Sequence, residues 1–332
     1  MKVKCRAVAS ILLLASGAIH AAPDVPKQTP DTYARPGERV TIAPGRALNL
    51  RCSGKGPRTV VLEAGGNADS TTWFRVQSLL SASARVCSYD RAGYGFSDKG
   101  PMPRNLQADV DDLHALIKAA KLKTPVLLVG HSLGSNIVRS YAQQHRREVA
   151  GLVLVDPPEQ GAQAKMPQQW QRDDEAMRAQ RNEFLDACTK AAVAGTLDSA
   201  DGPLKSCLRA PPEWQSPAVA AATRAYKLKP LYWQTLHSEL DENVAIFAAP
   251  VPADASFGSL PVVVLSAGND YPGLPDEVRK VLTDARNQTR ERLVAASTKG
   301  RRVDVAGTSH DIQLDQPQAV VDAVLGVIDA TR

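Results

Sequence analysis

The sequence predicts an α/β fold: a doubly wound, mostly parallel sheet interrupted by one helical insertion. Three observations predict it. Short runs rich in β-branched residues recur along the chain, and several, such as Val126-Leu127-Leu128-Val129 and Val262-Val263-Val264-Leu265, do not alternate apolar with polar residues. Strands covered on both faces have that pattern. Helical periodicities fall between the runs, the order that gives a parallel sheet with helices on both faces. One stretch, 158–257, contains helical segments and no convincing strand. The chain of 332 residues is long enough for one large α/β domain carrying an insertion, or for two ordinary domains.

The N-terminus reads as a secretory leader. Lys2, Lys4 and Arg6 precede an apolar run of 12 residues, 8–19, and the small residues Ala21 and Ala22 then offer a cleavage point before Pro23. The run is too short to span a bilayer, which takes about 20 residues. Residues 1–22 are therefore expected to be a signal peptide, the mature protein to be periplasmic or secreted, and no stable membrane insertion to remain after cleavage. Loss of Lys2, Lys4 and Arg6 lowers the formal charge from +5 to +2. Such a small charge, with Lys and Arg scattered, argues against a nucleic-acid partner. Loss of Cys5 leaves four cysteines, which allow three pairings in an exported chain.

Residues 23–38, with Pro23, Pro26, Pro30 and Pro36, read as an extended linker. Strands follow at 39–43, 47–52, 59–64, 85–89, 125–130, 149–155, 261–266 and 302–305. Leu106, Val110, Leu113 and Ile117 make one apolar face of a helix over 104–120, and a second helix covers 134–145. Within the insertion, helices are expected at 171–194 and 218–247. Trp170, Trp214, Tyr226, Tyr232, Trp233 and Phe247 there read as packing residues first, with the lining of an apolar pocket as the alternative. The last helix is expected to start at Asp315 as its cap, with Pro317 in its first turn. Core segments are thus 39–157 and 258–332, and the insertion is 158–257.

The motif that carries chemistry is Gly130-His131-Ser132-Leu133-Gly134, a G-x-S-x-G sequence between a buried strand and a helix. A sharp strand-to-helix turn there presents the Ser132 hydroxyl at the carboxyl edge of the sheet and at a helix N-terminus. A serine hydroxyl needs a base to act as a nucleophile. Of six histidines, His20 leaves with the leader, His131 adjoins the serine and points elsewhere, His114 and His145 lie on helices, and His237 lies in the insertion. His310, just after the last strand, remains. The acid that orients it is either Asp156 or Asp270, each following a strand at the same edge. Two N–H groups must face the developing oxyanion. Leu133, after the nucleophile, and Gly66, in the loop Ala64-Gly65-Gly66-Asn67, are expected to supply them.

These residues, with Tyr89-Asp90-Arg91-Ala92-Gly93-Tyr94-Gly95-Phe96-Ser97, resemble the α/β-hydrolase superfamily over most of 39–157 and 260–332. The resemblance implies an eight-stranded, mostly parallel sheet with a helical cap between strands six and seven, a Ser-His-acid triad, no metal and no organic cofactor. Many members have His-Gly where Ala64-Gly65 stands, so an oxyanion contact from that side chain is lost while the backbone donor survives. Most members place the acid after strand seven, which points to Asp270. A group of similar bacterial hydrolases sharing Tyr-Asp-Arg-Ala-Gly uses the Asp after strand six, which points to Asp156. Asp156 is preferred, with Asp270 beside it. The family strand order makes strands two and four neighbours, which would let Cys52 bridge Cys87, and Cys188 with Cys207 would staple the cap. The leading reading is hydrolysis of an ester or similar acyl bond of a small molecule through an acyl-enzyme, with an amide, as in proline iminopeptidase-like relatives, as the alternative, since a triad alone does not separate the two. A serine nucleophile argues against the dehalogenase and epoxide-hydrolase branches, which use Asp there. A non-catalytic binding protein on the same fold is the reading from a different class.

Overall fold

The computed structural model describes residues 25–268, 271 and 273–331, so the expected leader lies outside the described residues. Eight strands form one sheet: β1 (Glu38–Ala43), β2 (Arg46–Ser53), β3 (Thr59–Glu63), β4 (Arg85–Tyr89), β5 (Val126–His131), β6 (Val149–Val155), β7 (Val262–Ala267) and β8 (Gly300–Val305). Their order is β1-β2-β4-β3-β5-β6-β7-β8. The β1–β2 and β2–β4 pairs are antiparallel and every other pair is parallel.

The unalternated runs are the strands buried on both faces. Every residue of β3, β5, β6 and β7 is buried. Because successive side chains of a strand point to opposite faces, β5 sends Val126 and Leu128 into one core and Leu127 and Val129 into the other. The first core is closed by α2 (Leu106–Ala119), α3 (Leu133–Gln144) and α7 (Asp276–Ala295), through Val110, Ile137 and Leu293. The second is closed by α1 (Phe74–Leu80) and the C-terminal α9 (Pro317–Asp329), through Val76, Val320 and Val324. Each such side chain contributes about 1.5–3 kcal/mol on burial.

The helical insertion follows β6 and holds α4 (Gln168–Val193), α5 (Pro217–Lys227) and α6 (Pro230–Ala248). The periodicity over 218–247 belongs to two helices rather than one. Proline lacks an N–H and its ring clashes with the preceding turn, so Pro230 ends α5 and opens α6. The cap has its own core of Leu185, Tyr232, Trp233 and Leu236, into which Tyr94 reaches from the main body. Disulfides join Cys188 to Cys207 and, across the β2–β4 register, Cys52 to Cys87.

Two further expectations change. The C-terminal helix starts at Pro317 with Gln316 at its cap position, and Asp315 ends a separate turn, α8 (Ile312–Asp315). The Asp315 carboxylate is drawn instead to the Ser309 N–H at 2.7 Å, inside the loop that carries His310. The Pro-rich N-terminal stretch is docked rather than simply extended. It forms a turn at Asp31–Ala34, and Thr29 donates through its N–H and its hydroxyl to the Trp214 carbonyl of the cap, at 2.8 and 3.1 Å. Tyr33 meanwhile donates to Gln77 of α1 at 3.2 Å.

Candidate active site

Ser132 links β5 to α3 at φ 51° and ψ −122°, a region that L residues avoid and that costs about 1–3 kcal/mol. The surroundings hold it there. Its N–H donates to Val155 O at 3.0 Å, its carbonyl accepts Ser135 N–H at 2.9 Å, and Ser135 Oγ donates to Gly130 O at 2.8 Å. The flanking glycines are required by close approach: a Cβ on Gly134 would lie 2.6 Å from Ala64 O, and one on Gly130 would strike Gly134 O. Leu133 is the first residue of α3, so its N–H has no partner within the helix and sits at the positive end of the dipole.

Asp156 follows β6 and His310 follows β8, both at the sheet edge that carries Ser132. His310 Nδ1 donates to Asp156 Oδ2 at 2.6 Å. Asp156 is 2% exposed, and its other partners are also donors: Ala267 N–H at 3.0 Å, Arg286 Nη2 at 3.0 and 3.1 Å, and Arg290 Nη2. Burial alone would raise this carboxyl. The His310 hydrogen bond, the Arg286 guanidinium, the Ala267 N–H and Arg290 together hold it well below the usual carboxylate range. Asp270 lies outside the described residues. Ser132 Oγ and His310 are not hydrogen-bonded to each other among the described residues; the His310 side chain is half-exposed, and such contacts tighten when substrate is bound.

His131 does more than flank the serine. Its Nε2 donates to the His310 carbonyl at 3.0 Å, which ties the loop after β8 to the turn at Ser132. Burial, with His310 beside it, lowers His131 to about 4, so the ring is neutral and keeps one donor nitrogen for that bond. The other histidines are engaged elsewhere: His114 stacks on His145 at 3.9 Å, and His237 sits between Asp186 and Asp241 at 3.0 and 3.3 Å.

The loop Ala64–Asn67 abuts the serine turn. A Cβ built on Gly65 would be 3.4 Å from Ser132 Cβ, and one on Gly66 3.8 Å from Leu133 Cβ. Beneath it lies a buried set of charges. Arg91 Nη1 donates to Glu63 Oε1 at 2.8 Å and Ala64 O at 2.7 Å, while Nη2 donates to Gly65 O at 2.7 Å and to Glu239 Oε2 of α6 at 2.8 Å. Burial pushes Glu63 up to about 7 against the pull of Arg91. In the sequence Arg91 stands only as part of the Tyr89–Ser97 signature, and Glu239, Arg286 and Arg290 carry no motif. A signal for the last two existed, since they stand four apart on α7 among the buried positions Ala285, Thr289 and Leu293.

Beside His310 opens a cavity of about 410 Å³ between the segment 157–159, Tyr271 and Arg286. Tyr271 donates to Glu159 Oε2 there at 2.7 Å. Tyr232 and Trp233, each 3% exposed, are cap core rather than pocket lining. No group of three or more His, Cys, Asp or Glu among the described residues is placed to hold a metal ion.

The chain matches the family described as alpha/beta hydrolase fold over residues 58–317 and belongs to it. Among curated proteins it is 36% identical over 99 residues to the uncharacterized protein YqjL of Bacillus subtilis (strain 168), covering 30% of this chain and 39% of that one. It is 33% identical over 116 residues to the probable transporter efuK of Hormonema carpetanum, covering 34% and 17%. The match thus spans well under half the length of these relatives. Similar solved structures include Est816, an N-acyl homoserine lactone degrading enzyme (TM-score 0.58, 21% identity, 87% of this chain and 99% of that one). A thermophilic esterase from Thermogutta terrifontis (TM-score 0.57, 19%, 88% and 97%) and the serine hydrolase of carbazole degradation, CarC (0.61, 16%, 88% and 98%), share the fold as well. At these identities the likeness is one of fold.

Proposed function

Proceeding from membership of the α/β hydrolase fold family, we propose that the chain is a serine hydrolase that cleaves an ester bond through an acyl-enzyme. The observation that carries this reading is the 2.6 Å bond between His310 Nδ1 and Asp156, at the edge where Ser132 stands on a strained turn. With Nδ1–H committed to Asp156, Nε2 of a neutral His310 carries the lone pair that a general base needs. Ser132 Oγ attacks the ester carbonyl and gives its proton to Nε2. The tetrahedral oxyanion faces the N–H groups of Leu133 and Gly66. His310 returns the proton to the departing alkoxide, and the alcohol leaves. Water then attacks the acyl-enzyme by the same proton path and releases the carboxylic acid. Asp156 holds the tautomer and stabilises the imidazolium, while Arg286 and Arg290 keep it ionised.

We place the protein outside the cytoplasm. Two disulfides and the leader-like N-terminus support this. No helix of the described residues is long and apolar enough to cross a membrane. A fluorophosphonate probe is expected to label the wild type and not Ser132→Ala, and p-nitrophenyl ester hydrolysis is expected to vanish with the label. A folded wild type that neither reacts with the probe nor turns over esters refutes the proposal.

A further inference from the structure

We infer that Arg91 and Glu239 are positioning residues for the oxyanion site, and that Glu239, carried by cap helix α6, makes that site depend on a seated cap; the inference rests on the acyl-transfer reading above. In a trans peptide the C=O and the following N–H point in opposite directions. Arg91 Nη2 holds the Gly65 carbonyl at 2.7 Å, so the Gly66 N–H of the same peptide is aimed away from Arg91. The next peptide is fixed from its other end, by the Asn67 N–H donating to Glu239 Oε1 at 2.8 Å. Both peptides that meet at Gly66 are therefore locked, one through its carbonyl and one through its N–H. Glycine has no side chain to restrict it and samples more backbone conformations than any other residue. At Gly65-Gly66 the orientation of the donor has to come from outside the loop.

The charges are expensive in this position, which is a reason to assign them work. Arg91 is 3% exposed, Glu63 is fully buried and Glu239 is 2% exposed. Apolar residues of similar volume often fill such space at no loss of stability. What an apolar set cannot do is bond backbone groups. Arg91 presents a fixed fork of donors, and the fork meets two successive carbonyls together with the carboxylates of Glu63 and Glu239. Glu239 accepts from Arg91, Asn67 and, at 3.0 Å, Tyr94. The cap makes a second tie to the same residue, Tyr232 O–H donating to Asn67 Oδ1 at 2.5 Å. Glu239 and Asn67 are 172 residues apart in the chain, so α6 lifting from the main body would release the Asn67 peptide and one arm of Arg91 together.

The test uses the full chain and Glu239→Gln, which keeps the volume but offers one acceptor oxygen to three donors. Three quantities are read: kcat and KM on a p-nitrophenyl ester, the affinity for an alkyl boronic acid, and the affinity for the carboxylic acid product. The boronic acid forms a tetrahedral adduct on a reactive serine, with an oxygen in the oxyanion position. A misaimed donor weakens the transition state and its mimic but not the ground state. The expected result is a loss of roughly tenfold or more in kcat, below the about 10²–10³ that follows complete removal of one donor. Boronate affinity should weaken by a similar factor, with KM and product affinity within about threefold. Tyr94→Phe, which removes a bond to the same carboxylate without touching the loop, should stay near wild type. Unchanged kcat and boronate affinity in Glu239→Gln overturn the inference. So does a variant that fails to fold, or one that loses product affinity in proportion to kcat, since either shows a packing or pocket role. A wild type inert to fluorophosphonate is a separate result, and it removes the acyl-transfer reading itself.

Discussion

Replacing Asp156 by asparagine changes one atom in a carboxylate that four donors face: His310 Nδ1–H, Ala267 N–H, Arg286 and Arg290. An amide has one acceptor oxygen and an NH₂ that must point at some of those donors. If the NH₂ faces His310, the imidazole must present a lone pair at Nδ1, its proton moves to Nε2, and Nε2 can no longer take the Ser132 proton. If the oxygen faces His310, the NH₂ meets the arginines and the Ala267 N–H. The first arrangement relieves the most repulsion and is the wrong tautomer. By analogy with serine hydrolases, kcat should fall by about 10⁴, or roughly 5.5 kcal/mol in the barrier. The two guanidiniums, with residue exposures of 7% and 3%, also lose their shared counter-charge. Breaking a buried ion pair from one side costs about 3–5 kcal/mol. With an unfolding entropy of about 2.1 cal/mol/K per residue over roughly 300 residues, the melting midpoint should drop by about 6 °C. The assay is p-nitrophenyl ester turnover, paired with a thermal melt. An Asp156→Asn protein within tenfold of wild-type kcat, with Asp270→Asn inactive, refutes the reasoning.

Two further outcomes follow from buried groups and cross-links. His131 has its pKa depressed to about 4 by burial and by His310, against about 6.5 unfolded. The unfolded chain therefore binds the extra proton first, so this contribution is complete above about pH 6.5 and is lost as pH falls through about 4. Urea midpoints across pH 4–7 should show that slope, with up to about 3 kcal/mol attributable to His131; an identical slope in His131→Phe would refute the assignment. Removing the cap disulfide by Cys188→Ser with Cys207→Ser opens a link of sequence separation 19. The loop-entropy relation gives about 3 kcal/mol, or roughly 5 °C in the melting midpoint, and mapping that found both thiols free in the wild type would refute the bond.

Much of the architecture was legible because each local signal had a single reading. Val149–Val155 coincides with its apolar run to the residue, since a strand buried on both faces has no polar residue to blur its limits, and the strand read at 85–89 is Arg85–Tyr89. The insertion was legible as an absence of strands, but its helix count was not. The periodicity over 218–247 continues across Pro230, and only the backbone conflict at that proline divides α5 from α6. Asp315 looked like a helix cap because Asp before a Pro-led turn commonly is one. The structure gives that carboxylate a competing partner in the Ser309 N–H, and the partner comes from a loop position that spacing cannot reveal.

The candidate site divides in the same way. The sequence by itself determined the family, the order of strands and helices, and the serine turn with its obligatory glycines, and it left His310 as the candidate histidine for that serine. All of these follow from local pattern, because a turn type or a buried strand constrains only neighbouring residues. The partner of His310 was decided in three dimensions. In the sequence Asp156 and Asp270 each follow an apolar run; it is the β5–β6–β7–β8 arrangement, with Arg286 and Arg290 arriving from α7, that brings Asp156 to 2.6 Å from His310 and keeps it charged. The clamp of Arg91 and Glu239 on the glycine loop was equally invisible. Its members lie in a loop after β4 and on a cap helix, and burial makes their charges matter only once folding has excluded water from between them.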